Sequence, residues 1–332
     1  MKESPIILKH IFTGLVISVA VAGIIFFGFR IMSKPSTSSQ ENPFEFDLEA
    51  LQEIDPALIW YEEVQEIKIP VEKAYGIATG PKDWIYVTGD QVLMIFENDG
   101  IEVGRIHLEE SAKCVTVGDD GDIYLGFTTH VEVYEEGGFR KDIWPELGRQ
   151  AIITSIAVLE EDVFVADAGN SIVLRFDKSG RLLGRIGDRD EARGIIGFFL
   201  PSPNFDVTAG PQNSIWAANN GNHSMENYSF NGDLLSSWGG PSVDIEGFAG
   251  CCNPMHFAML PDGSFVTSEK GLVRVKIHDS TGKFLCAVAG VEQFAWDTVA
   301  PDLAVDSIGR ILTLDNGANT VRIFSKSNEH SR

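Results

Sequence analysis

The sequence predicts an all-β fold, a six-bladed β-propeller closed by its own N-terminal strand and preceded by one transmembrane helix. Three observations predict it. A strand–turn–strand pattern recurs six times at a spacing of about 45 residues, the length of a four-stranded blade. The sixth repeat ends without room for an outer strand, while a spare strand precedes the first. An uncharged apolar run fills residues 11–29.

The second strand of each repeat is the clearest marker. It reads Trp84-Ile85-Tyr86-Val87, Asp122-Ile123-Tyr124-Leu125 and Asp162-Val163-Phe164-Val165 in the first three repeats. In the last three it reads Ser214-Ile215-Trp216-Ala217, Ser264-Phe265-Val266-Thr267 and Arg310-Ile311-Leu312-Thr313. The third strand ends at Phe96, Tyr134, Phe176, Tyr228, His278 and Phe324. In five repeats a glycine follows four residues later: Gly100, Gly138, Gly180, Gly232 and Gly282. That position suits a tight hairpin into a fourth strand, such as Leu182-Leu183-Gly184-Arg185-Ile186. Residues 60–69 alternate like a strand. A ring that failed to close would expose sheet edges. Residues 60–69 are therefore expected to form the outer strand of the last blade.

Gly76-Ile77-Ala78 followed by Ile85-Tyr86-Val87 resembles an NHL repeat. So does Val163-Phe164-Val165-Ala166-Asp167 followed by Arg175-Phe176-Asp177. The resemblance covers about residues 60–324 and implies a six-bladed propeller of NHL-like repeats. Such propellers serve as ligand binders, protein-interaction platforms and, less often, enzymes. Related lactonase-type propellers hold a central divalent metal through Glu, Asn and Asp, and their motifs are absent here.

The expected organisation is a signal anchor over residues 1–32, a linker over 33–57 and the propeller over 58–326. At 1.5 Å per residue, a helix over 11–29 spans about 28 Å, close to the hydrocarbon thickness. Ala20-Val21-Ala22 resembles a cleavage triplet, but Ile24, Ile25, Phe26, Phe27 and Phe29 carry the apolar run past it. The reading is an uncleaved anchor with the propeller outside the cytoplasm; a reversed anchor is the alternative. Ser33-Lys34-Pro35-Ser36-Thr37 opens a polar tether. Residues 44–54 are expected to form a short helix.

Lys and Arg number 26 against 48 Asp and Glu, a formal net charge of −22. This argues against a nucleic-acid partner and against adsorption of the domain to anionic lipid, both of which need a basic surface. An acid excess keeps an exported domain soluble, or draws cations and basic partners. The four cysteines are too few for a disulfide framework. Glycine-rich phosphate loops, a nucleophile elbow, paired-carboxylate motifs and HExxH are all missing.

Loops into the first strand of each blade share a face with loops joining its second and third strands. Ligands of propellers usually sit on that upper face, around the channel mouth. Counting back from the markers gives a lead-in ring of Gly76, Cys114, Thr154, Asp206, His256 and Asp302. Asp206, His256 and Asp302 come from consecutive blades and are expected to converge at the channel. The alternative is that they bond to strand-end backbone. The least ordinary stretch is Gly250-Cys251-Cys252-Asn253-Pro254-Met255-His256. With Asn220 and His223 on blade 4, and Glu269 and Lys270 on blade 5, it predicts a wall between these two blades. Three readings of Cys251–Cys252 stand open: a vicinal disulfide, thiolate ligands for a divalent or soft metal with His256 and His223, or inert packing. Cys114 and Cys286 read as core. The long segment 187–203, with Phe198, Phe199 and Leu200, is either a lid or packing between blades.

The favoured function is a binding module for a protein or small-molecule ligand. The alternative is a metal-dependent or thiol-redox enzyme using Cys251, Cys252, His256 and His223. A third reading is a structural part of an envelope complex. If His223, His256 and Glu269 are ligand residues, alanine there leaves stability nearly unchanged.

Overall fold

The computed structural model describes residues 51–330. Among them, twenty-four strands form six antiparallel sheets of four strands each. In blades 1 to 5 the strands follow chain order from the inside out. Blade 6 instead runs from Asp302–Val305 at the inside, through Ile311–Asp315 and Thr320–Lys326, to Tyr61–Lys68 at the outside. The spare N-terminal strand therefore completes the last blade, with Tyr61 opposite Lys326 and Lys68 opposite Thr320.

The inner strands pack on one another around the ring, and the sixth meets the first, Gly76–Thr79. Two side chains pin that junction. Asp302 Oδ2 accepts from Ile77 N at 3.0 Å, and Thr79 Oγ1 donates to Val305 O at 2.6 Å.

Burial explains why the second strands mark the repeat so clearly. Ile85–Gly89, Ile123–Gly126, Phe265–Glu269 and Ile311–Asp315 are buried along their whole length. Each lies mid-sheet with a blade on either side, so both faces must be apolar and the run is continuous. Most outer strands face water; Arg140–Ile143 is exposed throughout, whereas Phe284–Ala289 is largely buried. Their pattern fades accordingly.

The residues ending the third strands are all buried, including His278 at 0% exposure. His278 takes an aromatic position and stacks among Trp238, Phe248 and Phe284. Burial pushes its pKa down to about 3, so the ring is neutral and serves as an aromatic.

All five turn glycines have positive φ, from +76° to +88°. Gly180 also faces a close neighbour: a Cβ there would lie 2.6 Å from Trp144. Gly180→Ala is expected to cost about 2 kcal/mol or more, from strained backbone plus the clash. Gly263, with φ +84° and open space around it, isolates the backbone part. Thermal melts of both variants check this, Gly180→Ala falling further.

Among the described residues no helix is long and apolar enough to cross a membrane. The expected anchor over 11–29 lies outside the described residues, as do most of the linker and most of the expected helix over 44–54.

Candidate functional site

A cavity of about 210 Å³ occupies the propeller axis, lined by residues of all six inner strands. Cys114, Thr154, Asp206, His256 and Asp302 of the lead-in ring all border it. Side chains alternate along a strand, so the same face carries Ala78, Thr116, Thr208, Ala258 and Ala304 one step further in, while a bulge between Ile153 and Ser155 breaks the alternation in blade 3. Small and uncharged side chains thus lie beneath a ring that holds one imidazole and two carboxylates besides the Cys114 thiol.

The imidazole and the two carboxylates converge as expected. His256 Nδ1 lies 3.3 Å from Asp302 Oδ1 and 3.9 Å from Asp206 Oδ2. His256 Nε2 has no hydrogen-bond partner among the described residues. The carboxylates are also tied to backbone. Asp206 Oδ1 accepts from Ser155 Oγ at 2.6 Å and from Val207 N at 2.9 Å, and Oδ2 accepts from Phe257 N at 2.8 Å. Asp302 Oδ1 accepts from Leu303 N, while Oδ2 holds blade 1. Each aspartate therefore joins its blade to the next and still reaches the imidazole. Burial, opposed by His256 and reinforced by Asp302, pushes the Asp206 carboxyl up to about 6.

The expected wall between blades 4 and 5 divides differently. His256 belongs to the channel cluster. Cys251, Cys252 and Lys270 form a second group, in which the two sulfurs lie 3.4 Å apart and both thiols are free. Cys251 is exposed and Cys252 buried. Lys270 Nζ donates to Ser202 Oγ at 3.3 Å. Among the described residues no group of three or more His, Cys, Asp or Glu is arranged to hold a metal ion. The expected ligand set of Cys251, Cys252, His256 and His223 is thus not assembled, because His256 opens an inner strand and turns to the axis.

Glu269 and its neighbours form a third group with a structural task. Glu269 is fully buried and pairs with Arg274 and Lys276, which are 3% and 0% exposed. Lys276 Nζ donates to Ile245 O and Gly247 O, and Arg274 Nη1 to Val243 O. Burial pushes the Lys276 ammonium down to about 8 despite its carboxylate partner. His223 adjoins the same group; burial pushes its pKa down, against the pull of Glu269.

Glu269 also belongs to a repeated device. The last residue of the second strand caps a backbone N–H of the loop leading into its own blade. Asp167 accepts from Ile152 N, Asn219 from Phe199 N, Glu269 from Ala249 N and Asp315 from Ala295 N, at 2.9 to 3.1 Å. Asn220 is buried beside it and donates to Asn204 O. The 187–203 segment is thereby fixed: Phe198 stacks on Phe205 and Tyr228 within the core between blades 3 and 4. Phe198 and Leu200 pack against that core, while Phe199 is exposed. A signal for this device lay in the sequence, four residues beyond the marker in each of blades 3 to 6.

No sequence-family model matches the chain, and no curated protein sequence matches it. Solved structures do resemble it. Virginiamycin B lyase from Staphylococcus aureus aligns at 13% identity and TM-score 0.55, over 80% of this chain and 99% of that one. A protein of unknown function from Bacteroides thetaiotaomicron aligns at 15% identity and TM-score 0.58, over 80% of this chain and 72% of that one. The WD40 propeller domain of Doa1 aligns at 12% identity and TM-score 0.54, over 77% and 79%. At these identities the likeness shows a propeller fold, whose six blades are those of the sheet topology, and leaves function to the chemistry of the site.

Proposed function

We propose that the protein is an extracytoplasmic binding propeller of NHL-type repeats, tethered to the membrane by residues 11–29. Its ligand is a small molecule with a basic nitrogen, held at the upper mouth of the channel by Asp206, Asp302 and His256. The loops of blades 4 and 5 flank that mouth. The observation that carries the reading is an imidazole set between two carboxylates, with Nε2 unpartnered, on an otherwise uncharged channel wall. Two carboxylates against one imidazole favour a cation, and the net charge of −22 adds long-range attraction.

The test compares matched amines and their neutral N-acetyl forms, such as glucosamine and N-acetylglucosamine, by thermal shift and calorimetry. Amines are expected to raise the melting temperature, and neutral forms to leave it unchanged. Asp302→Asn is expected to lose the response. Because Asp206 titrates near 6, its anion is present above that pH and lost below it. Amine affinity is therefore expected to fall by up to about tenfold per pH unit below 6. Equal responses from amines and neutral forms, or an unaltered Asp302→Asn, would refute the reading.

A second reading rests on the same imidazole. A carboxylate at Nδ1 holds the tautomer that leaves Nε2 free, which is what a general base requires. His256→Gln separates the two: an enzyme loses turnover while keeping affinity, whereas a binder loses affinity alone.

A further inference from the structure

Cys251 and Cys252 lie on the loop leading into blade 5, outside the channel cluster. Their sulfurs are 3.4 Å apart, with no disulfide between them. Their environments differ sharply. Cys251 opens onto a groove bordered by Lys270, Val291, Ala295 and Trp296. Cys252 is 2% exposed. The next residue pins the loop: Asn253 Nδ2 donates to Ala249 O and Lys270 O, and its Oδ1 accepts from Lys270 N. The buried sulfur is thus held in place while the other meets solvent.

The surroundings of Cys252 favour its thiolate. Burial raises its pKa, but contacts with Ser202 and Cys251 and the Lys270 charge outweigh that and leave it lowered. The other two cysteines are the opposite case: burial pushes the Cys286 thiol up to about 12, and Cys114 higher still.

We propose that Cys251 and Cys252 form a redox-active dithiol that reduces low-molecular-weight disulfides. The exposed Cys251 thiol gives its proton to solvent and its sulfur attacks one sulfur of the external disulfide. That S–S bond breaks, and the departing thiolate takes a proton from water. The Cys252 thiolate then attacks the Cys251 sulfur of the mixed disulfide and expels the second thiolate, which is also protonated. Two protein thiols are oxidised to one vicinal disulfide, and the external disulfide is reduced to two thiols. The sulfurs need close only from 3.4 Å to about 2.05 Å. Lys270 acts as a positioning residue for the buried thiolate. Asp206, His256 and Asp302 take no part, so this inference stands or falls apart from the channel reading.

The test treats the full-length protein in detergent with glutathione disulfide, followed by alkylation and peptide mass mapping. In the wild type, the peptide carrying both cysteines is expected to lose two hydrogens and retain no glutathione. Cys114 and Cys286 are expected to be alkylated only after denaturation. Cys252→Ser lacks the resolving thiol and is expected to accumulate the Cys251–glutathione adduct about tenfold or more over wild type. Cys251→Ser is expected to take up no glutathione. Lys270→Gln is expected to slow the second step about threefold, visible as a longer-lived adduct. A wild-type peptide that keeps glutathione, or one left unreacted under conditions that oxidise a free dithiol, overturns the proposal. Because Cys252 is buried, Cys252→Ala is run beside Cys252→Ser, and the wild-type map decides even where both variants unfold.

Discussion

Alanine at Glu269 is expected to destabilise the propeller by about 3–5 kcal/mol, the cost of stranding buried charge. For a domain of this size that corresponds to a melting temperature lower by about 10 °C. The reason lies in where its partners sit. Glu269 is the anion facing Arg274 and Lys276, and water reaches neither cation. Its removal also frees Ala249 N, and with it the loop that carries Cys251 and Cys252. The sign of the pH dependence follows from Lys276. Its folded-state pKa is depressed to about 8, so the folded protein sheds that proton more readily than the unfolded chain. Without Glu269 the Lys276 pKa falls further, so the Glu269→Ala deficit should shrink as the pH rises toward 8 and level off above it, where Lys276 is neutral in both proteins. Arg274 stays charged, so the deficit does not vanish. Pairing Glu269→Ala with Lys276→Met should recover part of the loss, by removing one of the stranded cations. Melts of the single and double variants at pH 7 and pH 9.5 decide it. A Glu269→Ala protein as stable as the wild type would mean that Glu269 is a ligand residue, as its place in the sequence suggests.

That contrast shows what the sequence reveals and what it hides. Blade number, ring closure and the turn glycines are legible because each has a one-dimensional signature. A buried middle strand reads as a continuous apolar run, a positive φ selects glycine, and a missing last strand leaves a spare first one. The convergence of Asp206, His256 and Asp302 is legible for the same reason, since equivalent strand positions must meet at the axis. The role of Glu269 is hidden because its partners, Arg274 and Lys276, look like the solvated face of an outer strand. Nothing local tells that the loop of residues 240–250 lies over them and offers its carbonyls. His278 is a similar case: its slot in the repeat implies an aromatic, while its chemistry suggests a ligand. The structure resolves this in favour of packing. The cysteine wall is half right. Topology places Cys252 beside Lys270, but His256 opens the inner strand and lies with Asp302 at the axis.

Replacing Tyr61–Lys68 with a Gly/Ser linker of the same eight residues is expected to lower the melting temperature by about 10 °C or more and to promote self-association. Two losses combine. Ile67 enters the core cluster between blades 6 and 1, against Val92, Met94, Leu314 and Val321, so its removal leaves a cavity where the ring closes. Loss of such a side chain costs about 2–5 kcal/mol by itself. Arg322 loses Glu63 and Glu66, keeping only the buried Asp315. Beyond stability, the change uncovers the edge of Thr320–Lys326, whose backbone groups pair with Tyr61–Lys68 in the intact ring. A bare edge of seven residues is a template for another chain. Dimers and larger species should therefore appear in light scattering, at concentrations where the wild type is monodisperse. A synthetic peptide spanning residues 60–69 should dock in trans, restoring part of the melting temperature and suppressing the association. A linker variant that melts like the wild type and ignores the peptide would show that the ring closes through its inner strands alone, with the N-terminal strand an ornament on the last blade.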